Sequence, residues 1–221
     1  MTEGRKTTRS GKLLLERERR GIQTLMLARG VFVLFMGISH WVVGASLFEK
    51  IAMSAIAGLG LVAIGSFLVL LARRRAVGTV GLLGSLIDVA ILGALPVIWC
   101  LSVGGTDVPP AFMLKTQLTV MTLGLVVLNG FALRPLYPLV VAAGGVAVHL
   151  AVFAYVLNDP RTIVSGDFVD SALVPALSIV FVLTSILIVA ATGGAMGLVT
   201  RVARRTVIQG VQLKVANAQL G

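Results

Sequence analysis

The chain has 221 residues, of which 57% are hydrophobic and 13% charged, and its mean hydropathy is +0.99. A water-soluble domain of this composition would lack polar surface, and the apolar residues fall in runs long enough to cross a bilayer. The formal charge of +10 does not point to nucleic acid, because the basic residues sit at the ends of apolar runs, as the positive-inside rule requires.

Met1 to Ser10 reads as a disordered basic tail, and Lys12 to Arg20 as a short helix lying on the membrane surface or leading into the first span. Anchoring to anionic headgroups is its simplest role. No cleavable signal is expected, since the first apolar run is too long for a signal h-region. Six spans follow, at about Ile22–Leu47, Ile51–Ala72, Val77–Val103, Ala111–Leu133, Leu139–Leu157 and Ala172–Val199. Each is near the roughly 20 residues needed to cross a ~30 Å core. The expected fold is thus an all-α membrane protein with six transmembrane helices. Its divisions are a basic tail and pre-membrane helix over residues 1–20, the bundle over 21–200, and a connecting helix over 201–221.

The short joins carry an asymmetric charge. Arg73, Arg74, Arg75, Arg134 and the collar Arg201, Arg204 and Arg205 share one side with the N-terminal tail. Glu49, Lys50, Asp107, Asp159, Arg161, Asp167 and Asp170 share the other. This predicts both termini in the cytoplasm and a place in the plasma (inner) membrane. Trp41, Trp99 and Tyr155 fall toward the outer interface and Tyr137 toward the inner one. No internal repeat of the kind found in inverted-repeat transporters is visible.

An ionisable side chain inside a span costs roughly 2.5–3.5 kcal/mol on insertion scales and therefore needs a reason. Asp88 lies near the middle of the third span. Gly81, Gly84, Ser85 and Asp88 share one helical face, where the small residues let another helix approach. An interhelical hydrogen bond is the bland role for Asp88, and a ligand or signal site the sharper one. His40, Asp88, Lys115 and His149 are the candidates for a polar pocket open to the outer side. As a metal site, two histidines and one aspartate on three helices is a weak set, and no metal ligand is assigned. Lys115 can snorkel to the interface. Arg29 reads as marking the inner interface, with pairing to Asp88 as the alternative, and Asn129 as interhelical glue. Pro96 should kink the third span near its outer end, and Pro175 falls in the first turn of the sixth. Cys100, the single cysteine, excludes an internal disulfide. No nucleotide-binding, metalloprotease or nucleophile-elbow motif occurs.

The last thirty residues carry the functional reading. Gly193 and Gly197 form a GxxxG pair, suited to dimerisation or to packing within one bundle. Beyond the collar, Ile208, Val211, Val215 and Ala218 recur at spacings of three and four, the seam of a short parallel coiled coil. Gly210 weakens it by about 1 kcal/mol relative to alanine. The seam still runs at Gly221, which suggests a further domain beyond.

Six short-looped spans leading into such a helix resemble the N-terminal half of bacterial membrane-bound class III adenylyl cyclases. The terminal Lys214–Gly221, KVANAQLG, is similar to the ANxxLxRYFSP lead-in to their catalytic domain, with Ala216, Asn217 and Leu220 present and the RYF part falling after Gly221. The resemblance implies a homodimer, since the site converting ATP to cyclic AMP forms between two cyclase domains with a divalent metal, Mg or Mn. No ATP or metal site is expected in this chain itself. A lipid or small apolar ligand on the outer side is a further expectation by analogy. Sensor histidine kinases and diguanylate cyclases join membrane bundles to similar helices and stay open as alternatives. So does a proton-linked transporter or channel subunit using His40, Asp88 and His149.

Overall fold

A computed structural model describes residues 3–43, 46–73, 76–166 and 176–217. Among the described residues the chain is all-α apart from one pair of two-residue strands. The helices are α1 (Glu3–Val43), α2 (Leu47–Ala72), α3 (Val77–Val103), α4 (Leu118–Gly130), α5 (Leu136–Leu157) and α6 (Ile179–Asn217). Two 3-10 segments, Gly105–Asp107 and Pro110–Lys115, lie between α3 and α4. Strands β1 (Ile163–Val164) and β2 (Ala176–Leu177) pair in parallel, Ile163 with Ala176 and Val164 with Leu177.

Among the described residues five helices are long and apolar enough to cross a membrane: Leu13–Val42 within α1, α2, α3, α5, and Ile179–Leu213 within α6. Apolar sequence without water has only intrahelical partners for its amides, which is why these runs form unbroken helices. Their outward faces carry large exposed side chains such as Val31, Phe35, Val42, Leu59 and Leu187. Apolar surface of that extent is stable against lipid, not water.

The fourth predicted span is the exception. Pro109 and Pro110 remove two amide donors from its start, so Pro110–Lys115 winds as a 3-10 helix and only Leu118–Gly130, 13 residues, is α-helical. At the α-helical rise that helix covers about 20 Å, and the 3-10 segment adds about 12 Å.

Other boundaries also move. α1 starts at Glu3, where a tail was expected, and passes through Arg20 into the apolar run without a break. It ends at Val43. The expected join at Phe48–Lys50 lies inside the first turn of α2, because Ser46 caps that helix by accepting from the Glu49 amide at 3.1 Å. This is the Ser-x-x-Glu capping arrangement. Pro96 sits inside a continuous α3. Pro175, Asp167, Asp170, Arg74, Arg75, Ala218 and Leu220 lie outside the described residues.

The helices alternate up and down, gathering the arginine-rich termini at one end, called the basic end below. There Arg19 donates to the Leu71 carbonyl at the end of α2, and the Tyr137 hydroxyl at the start of α5 donates to Gly78 of α3 at 3.0 Å. Ile22, Leu25, Met26, Leu71, Val80 and Tyr137 form the core at that end. Leu92, Leu118, Val126 and Val141 lead a second core nearer the middle, and Ala111, Val156, Leu177 and Val182 a third at the opposite end. α5 lies centrally, against α3, α4 and α6.

Candidate functional site

The deepest polar grouping joins α1, α3 and α4. Arg29 and Asp88 are both 4% exposed and form an ion pair, Nη2 to Oδ2 at 2.5 Å. Arg29 Nη2 also donates to Asn129 Oδ1 at 2.8 Å, and Asn129 Nδ2 donates to Asp88 Oδ2 at 2.7 Å and to the Leu125 carbonyl at 2.8 Å. The Ser85 hydroxyl closes the set, 2.8 Å from Asn129 Oδ1 and 3.0 Å from the Gly81 carbonyl.

Local sequence explains the assembly. Gly84 leaves a gap into which the Arg29 guanidinium and the Met26 methyl fit, so any Cβ there would collide with them. The small face Gly81, Gly84, Ser85 and Asp88 is buried as the spacing predicts. It meets three neighbours: Tyr137 of α5 over Gly81, Arg29 of α1 over Gly84, and Asn129 of α4 beside Ser85 and Asp88. Pairing neutralises two charges that would otherwise be very costly in hydrocarbon. Arg29 is thus a partner of Asp88 rather than an interface marker.

The four residues expected to share an outer pocket each have contacts of their own. His40 Nδ1 lies 2.8 Å from the Met36 carbonyl, and its Nε2 lies 3.6 Å from Glu49 Oε1 across the α1–α2 turn. His149 is buried, with Nδ1 2.7 Å from the Gly145 carbonyl and Nε2 3.1 Å from the Thr119 hydroxyl. A carbonyl can only accept, so in both rings Nδ1 carries the hydrogen. Lys115 ends the 3-10 segment with its ammonium 5.4 Å from the centre of the Phe112 ring. A crevice of about 450 Å³ does open between α3 and α5 at that end, lined by Pro96, Cys100, Met113, Tyr155 and Arg161 among others. None of His40, Asp88, Lys115 or His149 lines it. The histidines bond back to their own helices, and the aspartate faces the basic half.

The basic end holds a grouping that the sequence did not announce. Glu18 of α1 is 3% exposed and accepts on both oxygens from two different elements. Arg134, in the turn between α4 and α5, donates Nη2 at 2.8 Å and Nε at 3.3 Å to Oε2. Arg204 of α6 donates Nη2 at 2.9 Å to Oε1. The hydrogen bond to Glu18 holds Arg134 above its already high ordinary pKa. Leu133, just before Arg134, sits at φ +56°, a left-handed conformation costing a non-glycine residue about 1–2 kcal/mol. The signal for Glu18 was available: it is one of two acids within KLLLERERR, too deep in a basic run to be mere solvation.

Comparison with known proteins finds no matching family model, curated protein or solved structure.

The C-terminal stretch differs most from expectation. Gly193 is buried with its α-carbon face against Ala142 of α5, and Gly197 against Leu139. The GxxxG pair therefore brings α6 onto α5 of the same chain and leaves no room there for a second copy. Of the seam residues, Val211 is 8% exposed and shares a crevice with Arg17 of α1, so part of the seam is covered within the chain. Ile208 is half-buried, and the side chain of Val215 lies outside the described set. The opposite face of α6 is open, with Ala191, Gly194, Ala195 and Leu198 exposed. Among the described residues no group of three or more histidine, cysteine, aspartate or glutamate side chains is placed to hold a metal ion.

Proposed function

We propose that this chain is the membrane anchor and regulatory module of a signalling enzyme, with an adenylyl cyclase as the best candidate. In this reading all six helices cross the bilayer with both termini in the cytoplasm, and the module acts as a homodimer. The observation that carries it is α6, one helix from Ile179 to Asn217. It leaves the apolar bundle as a polar rod and is tied, through Arg204 and Glu18, to α1 and through Arg134 to the α4–α5 turn. A rearrangement among the helices must therefore move the part of α6 that projects from them. The resemblance of KVANAQLG to the cyclase lead-in selects the output, and the charge asymmetry of the joins supports the orientation. A second copy would meet the open face of α6 around Gly194. The crevice between α3 and α5 is where a lipid or small apolar ligand from the outer side would be received.

A transporter or channel would need His40, Asp88 and His149 along one path, whereas each is held by different partners.

The test has two parts. Membranes containing the full-length gene product are supplied with ATP and Mg or Mn, and cyclic AMP is measured. Autophosphorylation or cyclic di-GMP formation instead would assign a histidine kinase or a diguanylate cyclase. A class III catalytic domain placed in frame after Gly221 then reports coupling. Its rate should change severalfold on Glu18→Gln at equal membrane abundance; an unchanged rate would reduce the module to an inert anchor.

A further inference from the structure

Beside the Arg29–Asp88 pair lies a cavity of about 70 Å³ between α1, α2, α3 and α4. Among its described lining residues, Arg29 and Asp88 alone have polar side chains; the walls include Phe32, Met36, Met53 and Ile91. A shallow groove on the lipid-facing side of α2 and α3, about 330 Å³, shares Ile56, Gly60, Ala63, Ile87 and Ile91 with it. The groove is floored by small residues, Gly60, Ala63, Ala90 and Ala94, and so lies directly against the cavity.

The ion pair beside this space is only partly satisfied. Arg29 Nε is buried and has no hydrogen-bond partner among the described residues. Both hydrogen bonds to Asp88 fall on Oδ2, which leaves Oδ1 as an acceptor without a described donor. Arg29 has N–H groups left over beyond its bonds to Met26, Asp88 and Asn129, and they stand beside the open acceptor Oδ1. A group that both accepts and donates, a hydroxyl, serves both sides of this neutral pair. A charged head is disfavoured, because the pair already balances itself and a third charge would stand unpaired in hydrocarbon. A single water could bridge the same groups, but the rest of the cavity and the groove is lined by apolar side chains that offer further waters no partner. An oxygen on an alkyl chain meets both requirements, with the remaining space and the groove taking methylene groups.

We propose that the cavity between α1 and α4 binds a long-chain alcohol, or another neutral single-chain lipid ending in a hydroxyl. It enters from the bilayer between α2 and α3 and places its oxygen against Arg29 and Asp88. The proposal stands independently of the output enzyme, because it concerns binding alone.

The test uses the full chain in lipid nanodiscs and hexadecanol carrying a mid-chain diazirine. After photolysis, labelled residues are mapped by mass spectrometry. Label should concentrate on the α2 and α3 residues of the groove. Unlabelled hexadecanol should compete about tenfold better than hexadecane, which lacks both hydrogen bonds, with hexadecyl methyl ether, an acceptor only, between them. Ala63→Phe fills the shared wall and should remove the label, while Leu187→Phe on the lipid face of α6 should not. Equal competition by hexadecane, or label spread evenly over the lipid-facing helices as expected of a site holding only water, overturns the proposal. The competition series is read on the unmodified chain, so it decides the matter even if Ala63→Phe does not fold.

Discussion

Replacing Glu18 by glutamine should loosen α6 from the rest of the bundle. The buried Glu18 side chain serves two arginines, Arg134 and Arg204, whose side chains are 33% and 37% exposed. Removing one partner of a fully buried ion pair costs about 3–5 kcal/mol. Here the arginines reach water once released, and screening at that exposure roughly halves the penalty. The amide oxygen of glutamine still accepts from one arginine, but its NH₂ faces the other. About 2 kcal/mol is therefore the expected loss, which shifts the balance between docked and released α6 about 30-fold. The assay is pulsed electron spin resonance with spin labels on Arg17→Cys and Gln209→Cys, in a chain whose own Cys100 is replaced by serine. The native chain should give one narrow distance distribution, and Glu18→Gln a broad one. A double-mutant cycle with Arg204→Gln should show a coupling of about 1 kcal/mol. Unaltered distances together with strictly additive stabilities would refute the clamp.

Other outcomes follow from the same geometry. Gly193→Ala puts a methyl into Ala142 of α5 and should lower stability in detergent by about 1–3 kcal/mol. Gly194→Ala meets nothing within 4 Å and should be neutral or gain up to about 1 kcal/mol; equal effects of the two would mean that α6 does not pack on α5 as described. Asp88→Asn strands the Arg29 charge and should cost about 3–5 kcal/mol, while the paired change Arg29→Met with Asp88→Leu should recover most of that. Unfolding titrations of single and double variants decide it, and a double variant no better than the single would count against the pair. Outside the bundle, the Arg161 guanidinium bonds Asp159 and holds its carboxyl below the ordinary carboxylate range. Its folded pKa is depressed, so any stabilisation from this contact is present above the unfolded pKa and lost as pH falls through the folded one. Arg161→Ala should raise the Asp159 titration midpoint measured by NMR.

Much of this architecture was legible from the sequence, for a definite reason. Bilayer-spanning helices are fixed by the length of apolar runs, and α2, α3 and most of α5 follow those runs closely. Predictions failed where local chemistry overrides hydropathy. Ser46 and Glu49 form a cap that starts α2 at Leu47, ahead of the stretch that reads as a loop, and Pro109–Pro110 converts the head of the fourth run into a 3-10 segment. The candidate site was half visible. The face carrying Gly81, Gly84, Ser85 and Asp88 could be drawn from helical periodicity, because periodicity says which residues share a side. It does not say which helix comes to that side, so Arg29 could not be assigned to Asp88, nor Glu18 to Arg134 and Arg204, 116 and 186 residues away. The same limit misplaced the glycines of α6. GxxxG announces close approach, and only the packing of α5 shows whose helix approaches.

The close contact at Gly193 and Gly197 also gives α6 a fulcrum. From Gly193 back to Ile179 the helix runs about 21 Å, and from Gly197 on to Asn217 about 30 Å at 1.5 Å per residue. A tilt about that point moves Asn217 in the opposite direction by about 1.4 times the displacement of Ile179. The tie at Arg204 sits only about 10 Å along the longer arm, where leverage against it is greatest. A sub-ångström push near Ile179 is thus magnified at the far tip, yet it must first overcome a brake placed close to the pivot. In a module that transmits motion, as proposed above, this placement would make the tie a threshold: small displacements are held back, and one large enough to break the tie passes on to the tip.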